Sequence, residues 1–160
     1  MFAIGALLLV ALGIQPLVAR GDSHSAMVDL RLTPANLTVD ADTTFDIQIQ
    51  VEPNGQSVIG VQSFVNYDPR LMQVLDLTLD SSSPLSVPLA VEFDNNLGTI
   101  NLVAGTFGPA ATDTFVLGTI SFASLGNSGE TDILFSTSGS RETVASSSGE
   151  EFSVLCSGRT

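Results

Sequence analysis

The sequence predicts an all-β fold: an antiparallel β-sandwich of about nine strands with jelly-roll topology, preceded by a short hydrophobic N-terminal helix. Three observations predict it. Apolar and polar residues alternate with period two through the middle of the chain. Clusters of Gly, Pro, Asn and Ser separate the alternating segments. No stretch after Gly21 carries a helical apolar stripe longer than one turn, so a sandwich is favoured over a parallel α/β sheet.

The clearest predicted strand spans residues 44–51. Its apolar residues fall on one face and Asp46, Gln48 and Gln50 on the other, which indicates one buried face and one solvated face. The same alternation predicts the remaining strands at 28–32, 58–67, 72–79, 88–94, 98–104, 114–123, 131–136 and 151–155.

The N-terminal segment differs from the rest of the chain. Residues 2–14 are apolar and uncharged, too few for the roughly 20 residues of a comfortable membrane span. Ala19-Arg20-Gly21 has the small-x-small pattern at which signal peptides are cut. We therefore expect a signal peptide or membrane anchor at 1–21, a linker at 22–27, the β-sandwich at 28–156 and a tail at 157–160. The protein is then secreted or on the cell surface and contacts membrane only through this segment.

The charge balance limits the possible partners. Five arginines, no lysine and 17 acidic residues give a net charge of −12. Such a chain repels phosphate backbones, which excludes nucleic acid and anionic membrane surfaces. The acidic surface favours solubility first, and attraction of calcium or a basic partner second.

Residues for catalysis are scarce. His24, the only histidine, stands beside the predicted cleavage site, so no Ser-His-Asp or Cys-His arrangement can form in the domain. Cys156 is a lone cysteine without a disulfide or CxxC partner. Acidic pairs such as Glu92 with Asp94 are interpreted as solvated side chains. We therefore predict that the protein is not an enzyme.

No metal site or cofactor is predicted. Hard oxygen ligands that calcium accepts occur at residues 40–46 and 92–95, but neither segment follows an EF-hand loop. Turn and strand-entry chemistry explains both segments. Calcium, if it takes part, is expected to come through a partner.

A sharp corner ends the third predicted strand. Ser63, Val65 and Tyr67 share one face of this strand, and Gln62, Phe64 and Asn66 share the other. Pro69 stops the strand because it has no N–H to donate, and Asp68 opens the turn.

Residues 67–74, YDPRLMQV, resemble the Tyr-Asp-Pro-x-Leu-x-x-Val corner of cohesin modules, the receptor domains that hold dockerin-bearing enzymes on bacterial scaffoldins. Other segments resemble cohesins in the right order over about residues 28 to 155. They are Asp42-Thr43-Thr44-Phe45 at the second strand, Gly98-Thr99-Ile100, Leu117-Gly118-Thr119-Ile120-Ser121-Phe122, Thr131-Asp132-Ile133-Leu134-Phe135, and Val144-Ala145 with Gly149 as the turn before the last strand.

The resemblance implies a nine-stranded jelly roll that binds a dockerin through one sheet face and has no catalytic activity. Carried onto this sequence, the outward, partner-binding residues are Gln62, Phe64 and Asn66. Gln62 stands where many cohesins have an acidic or Asn residue. Phe64 is expected on an edge-accessible strand, either as the anchor of an interface or as an ordinary half-covered ring.

Two other functions remain open at this point. A carbohydrate-binding module could share the fold and take polysaccharide, although the chain has no Trp and a single Tyr for stacking on sugars. A self-assembling structural module of the cell surface is the other. Recognition of a protein partner is favoured.

Overall fold

The computed structural model describes residues 27–147 and 150–157, which form two packed β-sheets. The strands are β1 (Asp29–Thr33), β2 (Thr44–Glu52), β3 (Gly60–Asn66), β4 (Met72–Leu79), β5 (Val87–Asp94), β6 (Thr99–Gly105), β7 (Phe115–Ser124), β8 (Leu134–Phe135), β9 (Val144–Ser147), β10 (Glu150–Ser153) and β11 (Leu155–Ser157). One turn of 3₁₀-helix, Gly139–Arg141, lies between β8 and β9. The predicted fold class, an antiparallel β-sandwich with jelly-roll topology, is confirmed.

The predicted N-terminal helix and the leader at 1–21 lie outside the described residues. Within the part of the chain that the structure describes, no helix has the length and apolar character needed to cross a membrane.

One sheet has five strands in the order β11-β1-β2-β7-β4. Its pairs are antiparallel except β1 with β11, which run parallel with Asp29 opposite Leu155. The first and last strands of the described chain therefore lie side by side. Irregular pairing at Gln50 and near Asp76 bends the sheet locally.

The other sheet has six strands, with the path β10-β9-β3-β6-β5 and β8 also paired to β3. β6 pairs with β3 along its whole length on one side. On the other side β9 pairs with residues 60–62, and β8 pairs with residues 65 and 66. β3 is thus an interior strand, and the expectation that it is accessible at an edge is wrong.

The core lies between the two sheets and follows from the period-two pattern. Ile47, Ile49 and Val51 of β2 are fully buried, while Asp46 and Gln48 are exposed. Phe122 of β7 is also fully buried. Its ring stacks on Phe45, with centroids 5.4 Å apart, and meets the Tyr67 ring edge to face at 5.3 Å.

The strands predicted up to residue 123 are present at their places, whereas the strand predicted at 131–136 is reduced to β8, Leu134–Phe135, and the C-terminal part also differs from the prediction. Residues 151–155, predicted as one strand, contain the end of β10 and the start of β11, which belong to different sheets. Val144-Ala145, predicted as a turn, begins strand β9. Short strands that switch sheets show too few alternating positions to be recognised from sequence.

The Tyr67-Asp68-Pro69 corner is fixed by hydrogen bonds. Asp68 accepts both Leu71 N–H, at 3.1 Å, and Met72 N–H, at 3.3 Å, on its backbone carbonyl, which turns the chain into β4. Its carboxylate accepts the Arg70 guanidinium at 2.6 Å, and this contact lowers the pKa of Asp68 to about 2. Gly98 packs directly beneath the corner at φ +67°, and a Cβ there would lie 2.8 Å from Pro69 Cδ.

Candidate functional site

The outward surface of the six-stranded sheet is formed by side chains at alternate positions, because directly opposed residues of an antiparallel pair point the same way. We call this surface the β3 face. Its members are Gln62, Phe64 and Asn66 of β3, Thr99, Asn101 and Val103 of β6, Ala90, Glu92 and Asp94 of β5, Leu134 of β8 and Val144 of β9.

The three residues singled out from the sequence lie together on this face. Gln62 and Asn66 are exposed and Phe64 is half-buried, while the intervening Ser63 and Val65 are fully buried in the core. The structure therefore places the predicted trio outward. Whether a partner binds there stays a prediction.

The neighbours of the trio give the face a mixed character. Gln62 lies opposite Val103 on one side and Val144 on the other. Asn66 lies opposite Thr99 and next to Leu134, whose exposed fraction is 42%. Amides and apolar side chains thus alternate across the centre of the sheet.

Thr143 closes a gap beside Phe64. On this side of β3, β9 pairs with residues 60–62 and β8 with residues 65 and 66, so neither strand pairs with Phe64. The Thr143 hydroxyl supplies the hydrogen bonds to the Phe64 backbone instead. It accepts Phe64 N–H and donates to the Phe64 carbonyl, each at 3.1 Å. Ser136 N–H donates to the same carbonyl at 2.7 Å. Because the backbone of β3 is satisfied on both sides, a partner would bind the side chains of this face rather than add a strand to β3.

Arg141 lies across the β3 face and was not predicted from the sequence. The 3₁₀ turn carries it there, and its Nη1 donates to Asn66 Oδ1 at 2.6 Å. Its Nη2 donates to Asn101 Oδ1 at 3.0 Å and to the Ile100 carbonyl at 3.1 Å. The guanidinium carbon lies 5.4 Å from the centroid of the Phe64 ring, within cation–π range. Arg141 therefore accounts for part of the cover on Phe64.

No sequence signal distinguishes Arg141. It lies in a Ser, Thr and Gly segment at 136–143 that has no periodicity. Its position over β3 depends on how the β8–β9 connection folds back across the sheet, which is a tertiary property.

Asp94, one of the carboxylates considered as metal ligands, holds the turn that joins β5 to β6, and Asp46 accepts a hydrogen bond from the Ser121 hydroxyl of β7. Asp94 Oδ1 accepts Asn96 N–H at 2.7 Å and Leu97 N–H at 3.2 Å, as expected for turn chemistry. Asn95 bonds to Val74 of β4 and to the Tyr67 hydroxyl. Among the residues that the structure describes, no three His, Cys, Asp or Glu side chains cluster closely enough to hold a metal ion.

A groove of about 870 Å³ opens at one end of the sandwich, and none of the trio lines it. The β1–β2 and β7–β8 connections contribute most of its lining, which includes Asp40, Glu130, Asp132 and Phe45. The Phe45 ring stacks on Phe122, so one of its faces is already covered.

Cys156 is half-buried in β11 and is a free thiol. Burial, with a smaller contribution from nearby Asp29, raises the pKa of its thiol to about 11. The thiol is therefore protonated at neutral pH and reacts slowly, which disfavours pairing between chains.

The sequence matches no protein-family model, and it is detectably similar to no curated protein. Solved structures are similar to the described fold. One is the third cohesin of ScaC from Acetivibrio cellulolyticus, in complex with a ScaB dockerin, with a TM-score of 0.67, 16% identity, and coverage of 81% of this chain and 94% of that one. Another is the OlpA cohesin of Clostridium thermocellum in its complex with Doc918, with a TM-score of 0.63, 12% identity, and coverage of 81% and 94%.

A type II structure is similar as well. The cohesin of the Coh3ScaB–XDoc complex from Acetivibrio cellulolyticus has a TM-score of 0.54 and 15% identity, over 81% of this chain and 95% of that one. At these identities the likeness concerns the fold. It extends over most of the residues that the structure describes. The chain therefore has the fold of cohesin domains.

Proposed function

We propose that the protein is a non-catalytic recognition module that binds a partner protein of the dockerin type through the β3 face. The observation that carries the proposal is the composition of this face, where the half-buried Phe64 ring lies between the exposed amides of Gln62 and Asn66 and contacts the Arg141 guanidinium. Aromatic residues and arginine are enriched at protein interfaces. Similar folds solved in complex with dockerins support this class of partner.

The proposed setting is a secreted or cell-surface assembly, such as one that degrades polysaccharide. The apolar segment at residues 2–14 and the small-x-small site that follows it support export. A net charge of −12 disfavours nucleic acid as the alternative partner.

Binding rather than catalysis is proposed because the sandwich offers few side chains that could act as a nucleophile or as an acid–base pair. The one histidine, His24, precedes the sandwich in sequence. Asp94 holds the β5–β6 turn, so it is not available to act with Glu92 as an acid–base pair. The module itself is proposed to need no cofactor, and any calcium dependence would come from the partner.

Glycan binding is the second candidate function, and the groove at the end of the sandwich favours it because sugars bind in such depressions.

A binding screen on the immobilised full-length chain separates the candidates. Capture of dockerin modules, including the ScaB dockerin of Acetivibrio cellulolyticus, supports the proposal. Retention on insoluble polysaccharide supports glycan binding, and oligomers that grow with concentration support self-assembly. Retention on polysaccharide or formation of oligomers, if no dockerin is captured, contradicts the proposal.

Replacing Phe64 with alanine is expected to weaken partner binding by about 2 kcal/mol or more, because aromatic anchors dominate interface energetics. The melting temperature should change little, since the half-exposed ring gives up mainly its contact with Arg141. Calorimetric titration measures the first effect and circular dichroism the second.

Phe93→Ala is the matched control. Phe93 is 42% exposed and lies opposite the inward-facing Ile100, so its ring is on the other side of the sheet. Its removal should leave binding unchanged. If Phe64→Ala instead costs about 3 kcal/mol of unfolding free energy, the ring is part of the core and is no anchor.

A further inference from the structure

The arginines of the described residues differ in what they contact. Arg31 forms ion pairs with Asp29 at 2.7 Å and Glu52 at 2.8 Å. Arg70 pairs with Asp68 at 2.6 Å. Among the residues that the structure describes, no carboxylate lies within ion-pair distance of Arg141, whose hydrogen bonds all go to uncharged oxygens.

This arrangement leaves a positive charge at the centre of the β3 face of a chain whose net charge is −12. The acceptors are the amide oxygens of Asn66 and Asn101 and backbone carbonyls, which orient the guanidinium without neutralising it. The residue is only half-buried, so an approaching group can reach it. Nε donates to no described residue, which leaves hydrogen-bonding capacity for a ligand.

Orientation of the guanidinium lowers the cost of binding an anion there. A free arginine side chain loses substantial rotamer entropy when it is immobilised, and here Asn66, Asn101 and the Phe64 ring have already fixed it. Hydrogen bonds between a guanidinium and a carboxylate are also among the stronger ones in proteins. If Arg141 served only to hold the β8–β9 connection against the sheet, it would need these hydrogen bonds but not an unpaired charge.

We propose that the partner of the β3 face presents a carboxylate, from an Asp or Glu side chain, that binds Arg141. This inference rests on the proposed function, because it names the chemistry of the partner at the same face. The adjoining Phe64 ring and Leu134 side chain add an apolar surface beside the cation. The recognition element is therefore an acidic residue with an apolar neighbour.

A display experiment tests this without knowledge of the natural partner. The probe is the ScaB dockerin of Acetivibrio cellulolyticus displayed on yeast, with the surface positions of its helices randomised. The library is selected on the full-length protein, on Arg141→Glu and on Arg70→Glu. Arg70→Glu changes the net charge equally, but Arg70 lies in the corner after β3 and outside the face.

Selection on the wild-type protein should enrich acidic residues several-fold at one position or more. On Arg141→Glu this enrichment should disappear and basic residues should take its place, while Arg70→Glu should select as the wild type does. An acidic preference that is absent, or that persists on Arg141→Glu, overturns the inference and leaves the proposed function standing. A library that yields no binder to any of the three proteins contradicts the proposed function, and the inference with it.

Point variants of Arg141 separate a charge effect from a folding effect. With one selected binder, Arg141→Gln should weaken binding by about tenfold or more, and Arg141→Lys by less, since it keeps the charge but loses the planar geometry. Circular dichroism checks that each variant is folded. Binding to Arg141→Gln that equals or exceeds wild-type binding would mean that Arg141 is neutral for the partner or obstructs the face, which overturns the inference.

Discussion

Replacing Phe122 with alanine is expected to lower the free energy of unfolding by about 3–5 kcal/mol. The ring is fully buried between the sheets, where it stacks on Phe45 and meets Tyr67 edge to face. Its neighbours belong to β2 and to the corner after β3, and backbone hydrogen bonds hold both in place. The cavity left by the ring cannot collapse easily, so the cost should lie toward the upper end of the range.

Urea unfolding followed by circular dichroism measures this change. Phe107→Ala provides the matched control, because Phe107 is 95% exposed and its loss should alter the unfolding free energy by less than about 0.5 kcal/mol. A cost below about 1 kcal/mol for Phe122→Ala would contradict the assignment of this ring to the centre of the core.

Replacing Asn95 with alanine is expected to cost about 3 kcal/mol of unfolding free energy. The Asn95 side chain accepts the Val74 N–H at 2.8 Å, donates to the Val74 carbonyl at 3.0 Å, and accepts the Tyr67 hydroxyl. Val74 lies at the irregularity of β4, where the ladder to β7 is interrupted. Removal of the amide leaves several partly buried polar groups without a partner, at about 1–3 kcal/mol each when water does not replace it.

Asn96→Ala is the control for this effect. Asn96 is exposed in the same turn, and its backbone rather than its side chain bonds to Asp94. Its replacement should change the unfolding free energy by no more than about 0.5 kcal/mol. Equal effects of the two variants would mean that the bridge from Asn95 to β4 contributes little to stability.

The regular strands of the fold could be predicted from sequence because one of their faces is buried. β4 was predicted with its observed bounds, and β2 to within one residue of its end. Period-two alternation records burial directly in such strands. β9, β10 and β11 could not be predicted in the same way, since they are short and the chain passes from one sheet to the other between β10 and β11.

The residues of the candidate site also differ in whether they could be predicted from sequence. The common orientation of Gln62, Phe64 and Asn66 follows from alternation within β3, and the structure places them on one face. That β3 is interior depends on pairing with β8 and β9, which sequence alternation does not specify. Arg141 was missed for a related reason: a residue in an irregular connection reaches the site only through tertiary structure.

These two parts of the site have different proposed roles. Phe64 supplies apolar area at the centre of the face, and the contribution of such a residue to binding depends on the exclusion of water around it. Arg141 supplies charge, which selects among partners more than it adds affinity. An interface built this way would reject partners with basic residues at the matching position.

The activity proposed for this chain is binding of a dockerin-type protein through the β3 face. Calorimetric titration of the full-length protein with the dockerin modules of its own genome, run with calcium and again with a chelator, tests it most directly. We expect binding with a dissociation constant of about 1 μM or tighter, about −8 kcal/mol, and this binding should be lost with the chelator and weakened by Phe64→Ala. Absence of heat with every dockerin in calcium, from a protein shown to be folded, would contradict it.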